Sequence, residues 1–237
     1  MIRQCLTAWL AVTVLVGVLN AQANAGYLFG WTGGSPNFLE VTTVTGARTL
    51  STATNPLTAL SNNQGWWSLG ATSTNDNDNF FVGNDDYFQT SFNNYFTFDI
   101  SALKGQTVTG VVLNIQNPGI NGSSATYFVH DVSTDAATLN AKSANPNGII
   151  FNDLGTGALY GQKTIPLIND TQYWITLNAA AVNDLNAAIT SGNAYFSVGG
   201  TLNGAVVPEP SGILIAAMGL LTLSGRAMWK RRRSAAE

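Results

Sequence analysis

From Tyr27 to Val198 the chain alternates short runs of aromatic and β-branched residues with clusters of Gly, Asn, Asp, Ser and Pro. That punctuation limits the fold more than any other feature, because runs of this length suit strands and the clusters suit turns. The clearest strand is Tyr95 to Ile100, where Phe96, Phe98 and Ile100 alternate with Tyr95, Thr97 and Asp99. One face is apolar and the other mixed. After a turn at Lys104-Gly105-Gln106, Thr107 to Ile115 places Val111, Leu113 and Ile115 on one side and Val108, Val112 and Asn114 on the other. Tyr127 to Val132, Tyr173 to Leu177 and Ala194 to Val198 read as further strands. Tyr27 to Trp31, Leu39 to Val44, Trp66 to Ala71 and Phe80 to Val82 are weaker ones. Asn178 suits the cap of one short helix with Val182, Leu185 and Ile189 at helical spacing, and Asp135 to Leu139 allows a single turn. The expected fold is all-β: an antiparallel β-sandwich, jelly-roll-like, with one short helix.

The two ends differ from this body. Arg3, an apolar stretch from Leu6 to Leu19 and Ala23-Asn24-Ala25 as an A-x-A site read as a secretory signal peptide over residues 1–25, leaving Gly26 as the mature start. At the other end Val207-Pro208-Glu209-Pro210-Ser211 resists helix and strand, because each proline fixes φ and lacks an N–H. Behind it, Gly212 to Trp229 is an apolar run of about 27 Å as a helix, close to the thickness of a bilayer core, and reads as a transmembrane helix. Lys230, Arg231, Arg232 and Arg233 close it as a cytoplasmic basic anchor, so the body faces outward. The expected organisation is a signal peptide at 1–25, a sandwich domain at 26–206 and a terminal signal at 207–237.

This tripartite terminus resembles the PEP-CTERM sorting signal of Gram-negative bacteria, matched by Pro208, Glu209, Pro210, the apolar span and the terminal arginines. The resemblance covers residues 207–237. It implies recognition by an exosortase, a membrane transpeptidase that cuts near the motif and passes the protein to the cell surface. It also implies an inner-membrane-anchored precursor, secretion machinery as a partner and an association with exopolysaccharide. A weaker likeness lies in Asn94 to Ser101, Val108 to Leu113 and Val129-His130-Asp131-Val132-Ser133. These resemble extracellular β-sandwich modules of other PEP-CTERM proteins, some of them carbohydrate-binding, and suggest fold more than function.

Between Gly26 and Val207 four basic residues face eleven acidic ones, a net −7 hidden by the whole-chain value of −3. An acidic body without a basic patch excludes nucleic acid and anionic lipid headgroups as partners, since both require Lys/Arg neutralisation. Cys5, the only cysteine, lies in the signal peptide, so the mature body forms no disulfide and relies on its core. Trp31, Trp66, Trp67 and Trp174, with many Phe and Tyr, supply apolar area for that core.

Catalytic candidates are few. His130 is the sole histidine, shares a strand face with Phe128 and Val132, and reads as a hydrogen-bonded structural residue, so no catalytic residue is assigned. Carboxylate pairs at Asp76/Asp78 and Asp85-Asp86 sit in Asn/Gly turns, where such side chains usually satisfy local backbone donors. A polysaccharide hydrolase using Asp85 and Asp86 is the least favoured reading. The same run, Asn75-Asp76-Asn77-Asp78-Asn79 followed by Gly83-Asn84-Asp85-Asp86, offers hard oxygen ligands for a structural calcium at Asp76, Asp78, Asp85 and Asp86. It lacks the glycine and glutamate of an EF-hand loop. No other cofactor is expected. Trp66 and Trp67 are candidate sugar-stacking residues for a carbohydrate-binding module. As neighbours in a strand they face opposite sides, so at most one belongs to the core.

Overall fold

The computed structural model describes residues 26–30, 36–69, 78–85, 90–117, 119–122, 125–141, 148–166 and 171–204. Residues 25–205 form one compact unit. The expected signal peptide at 1–25, Trp31, Asp76, Asp86, the Val207–Pro210 motif, the apolar span and the Lys230–Arg233 cluster lie outside the described residues. Among the described residues no helix is long and apolar enough to cross a membrane.

Among the described residues twelve strands form two antiparallel sheets: β1 (Gly26–Gly30), β2 (Phe38–Thr43), β3 (Gly46–Ser51), β4 (Gln64–Ser68), β5 (Phe80–Asp85), β6 (Thr90–Asp99), β7 (Val108–Asn117), β8 (Gly119–Gly122), β9 (Ala125–Asp131), β10 (Leu159–Ile165), β11 (Thr171–Thr176) and β12 (Tyr195–Gly204). The larger sheet runs β10-β9-β12-β6-β5-β1-β8, with β4 also paired to β6; the smaller runs β11-β7-β2-β3. Their inner faces enclose one core. Leu39 and Val41 of β2, Val111, Leu113 and Ile115 of β7, and Tyr173 and Ile175 of β11 meet Phe96 and Phe98 of β6, Tyr127 and Val129 of β9, and Val198 of β12. The expectation of an antiparallel all-β sandwich therefore holds.

Three α-helices stand among the described residues, not one: α1 (Ala136–Ala141), α2 (Ile149–Thr156) and α3 (Ala179–Thr190), with a 3-10 turn at Ser101–Leu103. Helix α3 forms as its sequence predicts. The Asn178 side chain accepts from the backbone N–H of Ala180 at 2.9 Å and of Ala181 at 3.3 Å, and Ala181, Leu185 and Ala188 enter the core. At α1, Asp135 accepts from the Thr138 backbone and hydroxyl, so the single expected turn extends to Ala141. Helix α2 has no side-chain cap, since Gly148 precedes it at φ 68°. Its apolar start, Ile149-Ile150-Phe151, lacks helical periodicity in sequence. Burial of Ile150 and Leu154, one helical turn apart, holds it in place.

Strand β6 departs from the one-sided reading. Tyr95, Thr97 and Asp99 are buried like Phe96 and Phe98: α1 and α2 pack over Tyr95 together with Trp67, while Asn63 and Asn55 of the segment between β3 and β4 bond the Thr97 backbone and the Asp99 carboxylate. Two adjacent glycines in β12 permit this layering. A Cβ on Gly199 would meet the Leu154 carbonyl oxygen of α2 at 2.4 Å, and one on Gly200 would meet the Tyr127 hydroxyl at 1.8 Å on the inner side.

Candidate functional site

Strand β4 sends its two tryptophans to opposite sides, as adjacent strand residues must. Trp67 is fully buried with Tyr95, Leu139, Ile150 and Leu154, which leaves its ring no access to a ligand. Its indole N–H is buried without a hydrogen-bond partner. Trp66 is half-buried; its N–H donates to Asn79 Oδ1 at 3.2 Å, and its ring meets Phe92 edge-on with centroids 5.0 Å apart. Both rings are thus engaged within the fold.

Asp78 sits inside a buried polar cluster and not on an open turn. Its carboxylate accepts from the Asn62 side-chain amide, and its backbone carbonyl accepts from Gln64 Nε2 at 2.8 Å. Gln64 Oε1 in turn accepts from Asn37 Nδ2 at 2.7 Å and from the Thr52 hydroxyl at 3.0 Å. Asn37 Oδ1 accepts from the Gln116 backbone at 2.8 Å, so the cluster links β4 of one sheet to β7 of the other. Of the expected calcium ligands, Asp76 and Asp86 lie outside the described residues, and Asp85 is described only as a backbone position of β5. Among the described residues no three Asp, Glu, His or Cys side chains converge on a common point.

His130 is hydrogen-bonded, as expected. Nδ1 lies 3.3 Å from the Gly157 carbonyl oxygen and Nε2 lies 3.2 Å from the Thr201 hydroxyl. With both ring nitrogens committed to the connection after α2 and to β12, the imidazole ties the outer face of the larger sheet to its helical cover.

A groove of about 740 Å³ opens where the segment after β9 faces α3 and the start of β12; its walls include Asp131, Asp135, Asp184 and Tyr195. Nothing local in the sequence announces it. The buried Tyr160 hydroxyl lies 2.8 Å from Asp131 Oδ1 and 2.9 Å from Asp184 Oδ2, one phenolic proton between two carboxylates. Burial first, and then the two carboxylates, push the phenol far above its usual range. The groove's hydroxyls are largely spent on the fold. Those of Ser133 and Thr134 both donate to Asp153, at 2.6 Å each, Ser197 pairs with Thr97 at 2.8 Å, and Tyr195 donates to the Asn55 carbonyl at 3.0 Å. Burial raises the Asp153 carboxyl, but the side-chain and backbone donors of Ser133 and Thr134 outweigh it and hold the group below its usual range. This end of the sandwich presents an acidic wall whose Ser133, Thr134, Ser197 and Tyr195 hydroxyls are hydrogen-bonded within the fold.

No family model, no curated protein and no solved structure matches this chain.

Proposed function

We propose that the chain is an exported, non-enzymatic protein of the cell surface or extracellular matrix. In this reading a jelly-roll-like sandwich is delivered by a signal peptide, sorted by an exosortase and associated with exopolysaccharide. The observation that carries it is the ordered terminus: Val207-Pro208-Glu209-Pro210, then an apolar span of marginal length, then Lys230 to Arg233. Its positive end is opposite in sign to the acidic body, which suits a disposable address better than a working part. The engagement of His130, Trp67 and the groove hydroxyls in packing and hydrogen bonding supports a structural or binding role for the body over a catalytic one.

Mass spectrometry of the surface fraction tests the sorting step. The exported form should begin near Gly26 and lack the residues after about Val207. A surface form that ends at Glu237 would refute processing, and one retained by Pro208→Ala/Pro210→Ala in wild-type amount would remove the motif from the route.

A further inference from the structure

The outward positions of the smaller sheet form a surface that no feature of the sorting reading uses. Register fixes their neighbours. Trp174 of β11 lies opposite Asn114 of β7, which lies opposite Phe38 of β2; in the adjacent row Thr176, Val112, Glu40 and Thr49 follow across the four strands. Gln172 and Gln116 extend the face on one side. The alternate positions, Leu39, Val41, Val111, Leu113, Ile115, Tyr173 and Ile175, are core, so this face turns to solvent. Trp174 is nevertheless 47 % exposed, a large aromatic ring where strand alternation calls for a polar residue.

A second observation falls at the middle of the same row. Asn114 stands on the solvent side yet is only 6 % exposed, flanked by Trp174 and Phe38, and its Oδ1 is buried with no hydrogen-bond partner. Leaving such an acceptor unpaired costs on the order of 1–3 kcal/mol. A ligand hydroxyl that reaches Oδ1 as the exposed Trp174 ring shifts aside would recover that cost. Strands spaced at about 4.8 Å set Trp174 and Phe38 roughly 10 Å apart, a width that accommodates consecutive pyranose rings.

Charge narrows the class of ligand. Glu40 is the one charged side chain among these outward positions. Lys163 reaches one edge of the sheet, where its ammonium donates to the Trp174 carbonyl at 3.0 Å and keeps its charge, and the exposed Arg48 on the other edge strand pairs in register with inward-facing Val41. With a single carboxylate among its outward positions and its cations at the edges, the face has no cationic track for an anionic polymer, while amides, hydroxyls and aromatic rings match the hydroxyls and C–H faces of a neutral sugar. The geometry points to a glycan platform on the smaller sheet: Trp174 and Phe38 stack on sugar rings of a neutral polysaccharide and Asn114 accepts a hydroxyl between them. This places sugar binding on a different strand and the opposite sheet from Trp66, whose N–H and ring edge are already engaged. Only the link to a matrix polysaccharide rests on the function proposed above; the platform does not.

Affinity electrophoresis of the full-length chain in detergent tests it, through gels carrying hydroxyethyl cellulose, laminarin, galactomannan or alginate. At least one neutral polymer should retard the protein, Trp174→Ala should weaken retention tenfold or more, and Asn114→Ala should weaken it severalfold. Circular dichroism checks that both variants remain folded, and Phe38→Ala gives an independent third reading. Retention by no neutral polymer, retention by alginate alone, or loss on Trp66→Ala but not on Trp174→Ala overturns the platform. So does Trp174-dependent self-association without glycan retention, which would make a second copy the occupant. If the exported form keeps Glu237 while retention persists, the sorting reading fails and the platform stands.

Discussion

The outer faces of the two sheets differ in what covers them. On the larger sheet, Tyr95 and Trp67 lie beneath α1 and α2, and even the polar positions Thr97 and Asp99 of β6 are buried. On the smaller sheet, strands with the same alternation leave Trp174 half in water and strand an asparagine between two rings. An aromatic residue on a strand's outer face is therefore core or contact surface according to what packs above it, and the strand pattern itself does not decide. The covered face carries stability. The bare face is free to carry recognition.

This contrast breaks most readily at Trp67. Trp67→Ala empties the centre of the cluster formed with Tyr95, Leu139, Ile150 and Leu154, and should destabilise the body by about 3–5 kcal/mol in denaturant melts. A loss below about 1 kcal/mol would mean that the helical cover contributes little. Next comes acid. The Asp153 carboxylate joins the segment before α1 to α2 through four groups of Ser133 and Thr134, and its depressed folded-state value ties this clasp to pH. Because the folded value lies below the unfolded one of about 3.9, the contribution is fully present above that pH and disappears as pH falls through the folded value. Solvent screening of this half-exposed group limits it to about 1 kcal/mol. Melting temperature between pH 5 and pH 2 should fall less steeply in Asp153→Asn than in the wild type, after allowing for Asp99 and Asp135, also held below their usual range; equal slopes would assign the acid sensitivity elsewhere. The smallest effect belongs to the bare face. Trp174→Ala should cost less than about 1 kcal/mol, since half of the ring is already in water and its removal opens the unpaired Asn114 acceptor to solvent.

Much of the fold was legible where alternation was strict. Val111–Ile115 and Phe96–Ile100 read as one-sided apolar strand positions and are so buried; Leu39 and Val41, from a strand only weakly signalled, join them, and Val108, read on the opposite face from Val111, is also core because the ladder shifts register at Thr42/Thr43. Strand β3 was not legible because only Leu50 of Gly46–Ser51 is buried. Strand β10 was hidden by Gly161, Gln162 and Lys163 between its buried Tyr160 and Ile165, and by a register shift after Leu159. Helix α2 depends on contacts that no local signal records. The opposite orientation of Trp66 and Trp67 followed from strand geometry alone, but which of them is buried depended on α1 and α2. Trp174, counted from sequence toward the core, is instead exposed. The carboxylates around Tyr160 come from positions 29 residues before and 24 residues after it, so no spacing rule finds them. The terminal pattern behind the proposed sorting route is read from sequence alone, because its parts are contiguous.

The contrast between covered and bare faces is tested most directly by carbene footprinting of the folded protein, read residue by residue, free and with a neutral polysaccharide that retards it on electrophoresis. Trp174 and Phe38 should label in the free protein and become protected by the polysaccharide, with Trp67 unlabelled in both states. Equal labelling of Trp174 in the two states, or labelling of Trp67 in the free folded protein, would contradict the account.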